Sequence, residues 1–221
     1  LMQGVILQWS RLKGINDMKS VFLYGASGHA KVIIDSLTAS GFEVKGLFDD
    51  NPNVKELLGY KVFGSYNSEI LQNSKLIISI GLNNIRKKVE DKLPLNIKYG
   101  KAIHPTAIIS EHATVCDGSV VMQGAIIQSS ASVGKHCIIN TAASIDHDCL
   151  LEDFVHISPN ATLCGNVFIG EGSQVGAGAV VIPGIRVGKW SLVAAGSVVM
   201  RDVPDNVLVM GNPARVAKKL I

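Results

Sequence analysis

The chain predicts two folds in tandem: a small Rossmann-like α/β unit, then a β-solenoid of six-residue repeats. Three observations predict it. Aliphatic residues recur at every sixth position without a break, from Ile103, Ile109, Val115 and Val121 through to Val193 and Val199. A companion series four residues on, Ala107, Ala113, Ser119, Ala125 and so forth to Val203, is nearly all small. Ahead of residue 100, strand–glycine loop–helix patterns repeat.

A period of six belongs neither to an amphipathic helix nor to a long alternating strand. It fits short strands joined by turns, three hexads to a coil, stacked as a parallel β-helix. The aliphatic residue fills the interior and the small one lets the chain turn at a corner. Gly118, Gly124, Gly134, Gly170, Gly176, Gly178, Gly188 and Gly196 are expected to supply permissive turn conformations.

In the first unit, residues 21–24 read as a buried strand, followed by Gly25-Ala26-Ser27-Gly28-His29 and a helix over 30–40. Residues 44–48 form a second strand ending in Asp49-Asp50, with Asn51-Pro52 as its turn. A third strand over 76–80 leads through Gly81-Leu82-Asn83-Asn84 into a helix over 86–93. Such repeats imply a parallel sheet. The expected division is a non-functional extension over 1–17 ahead of Met18, a Rossmann-like domain over 18–100, a β-helix over 101–203 and a tail over 204–221.

With 47% hydrophobic residues among 221, the chain has ample apolar content for such cores, and 5% aromatics suits interiors of small aliphatic side chains. Net charge is only +3. The basic runs Arg86-Lys87-Lys88 and 215–219 are short and read as an exposed helix face and a chain end, so no nucleic-acid partner is indicated. Cys116, Cys137, Cys149 and Cys164 form no CxxC pair and no zinc-finger spacing, and read as small thiols of a cytoplasmic protein. Val5-Ile6-Leu7 is too short an apolar stretch for a membrane span.

Ligands of a parallel α/β sheet bind at the carboxyl ends of its strands. There Gly25 and Gly28 allow close backbone approach, and the following helix N-terminus favours an anion. Gly25-x-x-Gly28 is not a dinucleotide fingerprint, and a plain tight turn explains it equally well. Asp49 and Asp50 either accept hydrogen bonds from a base or ribose or simply end the strand in solvent.

Among the histidines, His104 and His112 read as capping or surface residues and His136 as structural. His147 differs, because Asp146 and Asp148 flank it. Its reference pKa of about 6.5 suits a base that is neutral near pH 7, and a carboxylate orients the ring and stabilises the imidazolium.

The hexads resemble the hexapeptide-repeat superfamily, whose β-helix is left-handed. The order of glycine loop, Asp-Asp strand end, Ser79-Ile80-Gly81 turn and hexads resembles the sialic-acid O-acetyltransferase and UDP-N-acetylbacillosamine N-acetyltransferase family, over nearly all of residues 18–221. The resemblance implies a cytoplasmic homotrimer that moves acetyl from acetyl-CoA to the amine of a nucleotide-linked sugar, a UDP-4-amino-4,6-dideoxy sugar first among candidates. It needs no metal.

Carried over by motif, His147 is the general base and Asp148 its acidic partner, in the setting Asn140-Thr141-x-x-x-Ile145-x-His147. The family usually has Glu after this histidine. Ser27, Gly28, His29, Asp49, Asp50, Gly81 and Asn140 would touch the acceptor. His156 would contact the acetyl carbonyl, with Gly165, Ala177 and Ala195 along the pantetheine arm. The ending Gly211-Asn212-Pro213-Ala214-Arg215 would cover the adenine end, Arg215 or Lys218 near phosphate. Because His147 and His156 lie half a coil apart, a shared site is expected to draw them from neighbouring protomers.

O-acetylation of sialic acid or another sugar hydroxyl is the alternative. A zinc hydro-lyase recruiting His136, His147 and His156 would leave Asp148 and the first domain unexplained. A non-catalytic β-helix used for binding is the third rival.

Overall fold

The computed structural model describes residues 20–220. The extension expected over 1–17 and the start at Met18 lie outside the described residues. The first unit runs β1 (Ser20–Tyr24), α1 (Gly28–Ala39), β2 (Glu43–Phe48), the short pair β3 (Glu56–Leu57) and β4 (Tyr60–Lys61), α2 (Ser68–Leu71), β5 (Lys75–Ile78) and α3 (Asn83–Lys92). Strands β2, β1 and β5 form a parallel sheet in that order. Helix α3 starts three residues earlier than the hydrophobic pattern indicated, because Asn83 and Arg86 belong to one buried side of it.

From Ala102 the chain winds as a left-handed parallel β-helix of seventeen two-residue strands, β6 (Ala102–Ile103) to β22 (Val198–Val199). Each strand pairs with the one a coil later, as Ile126 with Ser144 and Ser144 with Thr162. Three faces result. One holds β6, β9 (Val120–Val121), β12 (Ile138–Ile139), β15 (His156–Ile157), β18 (Gln174–Val175) and β21 (Leu192–Val193). The second runs through β13 (Ser144–Ile145) to β22, and the third includes β14 (Leu150–Leu151).

The sixth-position aliphatics and the small companion residues form one continuous interior, including the thiols of Cys137 and Cys149. Left-handed backbone recurs every six residues at the corners, but not always at glycine. Ser130, His136, Ala142, Asp148, Phe154, Asn160, Asn166 and Trp190 all have φ between 52° and 61°. Half of the glycines expected to permit turns serve otherwise. At Gly134, Gly170, Gly176 and Gly188 a Cβ would fall 2.6–2.8 Å from the backbone of the next coil, so these are close-stacking positions.

The α/β unit sits on the first face of the prism. Helix α1 buries Ile33, Ile34 and Leu37 with the outward residues Ala102, Val120 and Ile138. Beyond Ile138 the outward residue of the same face is His156, so the apolar part of the domain junction gives way there to polar side chains. The expected tail is structured: β23 (Val207–Gly211) and β24 (Ala214–Lys219) form an antiparallel hairpin that extends the first face. Arg215 and Lys218 on it are exposed.

Candidate active site

The predicted site residues fall into three places. The first is the corner between β13 and β14, which presents His147 and Asp148 to solvent. Asp148 has φ 60°, a left-handed conformation that Asp tolerates better than most residues. The turn brings its Oδ2 within 2.7 Å of His147 Nδ1, so the shorter acid reaches the ring. The backbone N–H of His147 donates to Asp146 Oδ1 at 2.8 Å. The hydrogen bond to Asp148 and then the charge of Asp146 raise the His147 pKa above its ordinary value. With Nδ1–H directed at the carboxylate, Nε2 carries the free lone pair. The ring lies over Gly165, one coil on, where a Cβ would fall 2.6 Å from Cε1.

The second place is the junction itself. Asn140 Oδ1 accepts from Thr141 N–H at 2.8 Å, which fixes the amide so that Nδ2 faces His156 Nε2 at 3.1 Å. An amide N–H can only donate, so Nε2 of His156 accepts and the proton resides on Nδ1. Burial, then the positive charge of Arg86, pushes the His156 pKa down to about 3, so the ring is neutral at pH 7. His29 faces it at 6.3 Å between ring centroids, with its pKa pushed down to about 4 by burial and Arg86. His156 Nδ1 and His29 Nε2 are both buried and neither makes a well-formed hydrogen bond to protein, although a Gly81 backbone contact acts on the His156 ring and pushes its pKa the other way. Buried polar atoms normally make such a bond, and here each of two rings 6.3 Å apart leaves one atom over, with the exposed Ser27 and Gly28 just ahead of His29 in the chain. Ser27 makes no side-chain capping bond to α1, and Gly81 packs on the His29 ring.

The acidic pair beside this loop divides its work. Asp49 accepts from Ala26 N–H at 2.6 Å and Asn51 N–H at 2.8 Å, so it holds the β1–α1 loop. Asp50 Oδ1 accepts from Tyr24 Oη–H at 2.7 Å, and burial together with Asp50 pushes that phenol up. The third place is the corner between the first and second faces, where Ala177 and Ala195 lie exposed one coil apart. His147 and these alanines therefore stand on different edges of one prism.

One expectation needs correction and another holds. Arg86 is not on an exposed helix face but 1% exposed, because α3 packs that side against the prism. His136 is structural as expected, its ring stacked on Phe154 at 5.1 Å and edge-on to Tyr99 at 4.4 Å. Among the described residues, no group of three His, Cys, Asp or Glu side chains is placed to hold a metal ion. No described helix is long and apolar enough to cross a membrane.

The PglD N-terminal domain matches residues 20–93, and the bacterial transferase hexapeptide (six repeats) matches 166–201. A 2,3,4,5-tetrahydropyridine-2,6-dicarboxylate N-acetyltransferase from Alkaliphilus metalliredigens is 40% identical over 182 residues, covering 73% of this chain and 77% of that protein. PerB from Caulobacter crescentus, solved in complex with CoA and GDP-perosamine, is 39% identical with a TM-score of 0.85, over 90% of this chain and 97% of that one. The acetyltransferase domain of PglB from Neisseria gonorrhoeae, solved with acetyl coenzyme A, is 35% identical with a TM-score of 0.82, over 90% and 99%.

The chain belongs to the hexapeptide-repeat acetyltransferases of the PglD type. As a PglD-type enzyme it is an acetyltransferase whose acyl donor is acetyl-CoA. What sequence reasoning missed in this PglD-type chain is the pair Asn83 and Arg86. Their i, i+3 spacing was the available signal, hidden by the neighbouring lysines.

Proposed function

We propose that the enzyme transfers acetyl to the amine of a nucleotide-linked amino sugar, with His147 as general base. The observation that carries this reading is the 2.7 Å contact of His147 Nδ1 with Asp148, which leaves Nε2 free and basic. The acceptor nitrogen attacks the thioester carbon, forming the N–C bond. His147 Nε2 takes the proton that the nitrogen must shed. As the tetrahedral intermediate collapses, the C–S bond breaks and the thiolate of CoA leaves, recovering the proton. The buried Nδ1–H of His156 supplies a donor for the oxyanion, a proton that the Asn140 contact at Nε2 keeps on Nδ1 of the neutral ring.

The acceptor's nucleotide is assigned to the pocket of Ser27, Gly28, His29, Asp50 and Gly81, with Asp49 shaping the loop and Asn140 setting the His156 tautomer. Gly165, Ala177 and Ala195 flank the CoA arm. Since His147 and the alanines occupy different prism edges, the site is completed between neighbouring copies, as in a trimer. The base is left open between GDP and UDP. Similarity to a protein that binds GDP-perosamine brings a GDP-linked sugar to the front beside the UDP-linked one expected from sequence.

The test is thiol release from acetyl-CoA with GDP-, UDP- and dTDP-linked 4-amino sugars, sialic acid and tetrahydropyridine dicarboxylate as acceptors. Turnover that requires an amino sugar and collapses in His147→Ala supports the assignment. Turnover of sialic acid alone replaces it with O-acetylation, and full activity in His147→Ala removes the base.

A further inference from the structure

Arg86 is buried with no carboxylate within salt-bridge distance among the described residues. Its guanidinium has five N–H donors in a fixed fork, and each has an acceptor. Nε–H donates to the His136 carbonyl at 2.8 Å. Nη1 donates to the carbonyls of Ile80 at 2.9 Å and Gly81 at 3.3 Å. Nη2 donates to Asn83 Oδ1 at 2.8 Å and to the Phe154 carbonyl at 2.9 Å. Asn83 continues the chain, its Nδ2 donating to the carbonyls of Gly172 at 2.9 Å and Ser173 at 3.3 Å.

His136, Phe154 and Gly172 are 18 residues apart, the same corner of three successive coils. Asn83 and Arg86 therefore staple one side of α3 along that corner. The staple surrounds β15. Phe154 lies two residues before His156, and Ser173 O also accepts the backbone N–H of His156 at 3.0 Å. At the other end Arg86 grips Ile80 and Gly81, and Gly81 bears on His29.

We propose that Arg86, with Asn83, is a positioning residue that holds the acceptor loop around Gly81 and His29 in register with the strand that carries His156. The inference rests on the acceptor pocket assigned above. Apolar packing through α1 already joins the two domains. What it does not supply is a fixed distance between one loop and one strand, which a rigid planar fork does. Lysine in its place retains charge but has three donors on a flexible stem and cannot reach every acceptor.

The experiment compares native enzyme with Arg86→Lys and Asn83→Ala, measuring kcat and both KM values and the amide hydrogen exchange of residues 79–84 and 154–157. Expected for Arg86→Lys is an acceptor KM raised at least tenfold with the acetyl-CoA KM within twofold, and faster exchange in those two segments only. Asn83→Ala shifts the same quantities less. If Arg86→Lys does not fold, Asn83→Ala carries the test. Unchanged acceptor KM and unchanged exchange in a folded variant overturn the proposal, as does an equal loss of affinity for both substrates. Exchange needs no substrate. A native enzyme that ignores amino sugars thus refutes the acceptor assignment while the staple is still judged.

Discussion

His147 lies flat against Gly165, with its Nε2 2.7 Å from where a Cβ on Gly165 would stand. The absence of a side chain one coil on is what permits the ring orientation that points Nδ1 at Asp148. Gly165→Ala is expected to turn the ring and lower kcat about 10- to 100-fold, since misplacement by about 1 Å can cost ~10²-fold. The backbone of Gly165 is not in the left-handed region, so the melting temperature stays close to native. Steady-state kinetics of Gly165→Ala in the native and His147→Ala backgrounds check this. If the glycine acts through the ring, it has no effect once the ring is gone.

Asp148 controls the pH at which His147 becomes a base. The carboxylate favours the imidazolium, so the pKa is raised and the acid limb of kcat/KM lies above pH 6.5. Asp148→Asn removes the charge, moves that limb to lower pH and reduces kcat by about 10- to 100-fold, less than the ~10²–10⁴ of general-base catalysis as a whole because the base itself is retained. Asp148→Glu keeps the limb but is expected to cost about 1 kcal/mol in stability, because the left-handed corner suits Asp better. A pH–rate profile with a matched thermal melt separates the two effects.

Asn140 decides which nitrogen of His156 carries the proton. Asn140→Asp is nearly isosteric, keeps the bond from Thr141 N–H, and presents an acceptor where there was a donor. His156 then holds its proton at Nε2, and Nδ1 loses the hydrogen assigned to the oxyanion. A fall in kcat of roughly 10²–10³ is expected, the size of losing one oxyanion donor, with the KM for acetyl-CoA little changed. A kcat within threefold of native would remove His156 from that role.

The architecture was legible because it is periodic. Ile103 to Val199 at steps of six fix which residues face inward, and stacking follows from that alone. His147–Asp148 was legible because a one-residue separation survives any fold. The contact of His29 with His156 joins residues 127 positions apart by number and depends on where α1 docks, which no local pattern encodes. Arg86 was misread for the same reason. Its burial is decided by the carbonyls of His136 and Phe154, backbone atoms that any sequence supplies. The glycines of two kinds were also indistinguishable, since Gly178 with φ 64° and Gly176 pressed on Ala195 sit two residues apart.

Three histidines held neutral by burial predict acid lability. His29 and His136 are pushed down to about 4 and His156 to about 3, against about 6.5 unfolded. Their depressed folded pKa values mean that the unfolded chain binds more protons below pH 6.5, so stability is full above that pH and declines as pH falls toward 4. Each group contributes a slope of up to about 1.4 kcal/mol per pH unit in that window. His136 isolates one of them, because its ring packs between Tyr99 and Phe154 away from His147 and Asp148. His136→Phe keeps the stacking surface and removes the titration. Chemical denaturation at pH 7.5 and pH 5 is expected to show a smaller stability loss in this variant than in native enzyme. An identical loss in both would mean that His136 contributes nothing to the acid side.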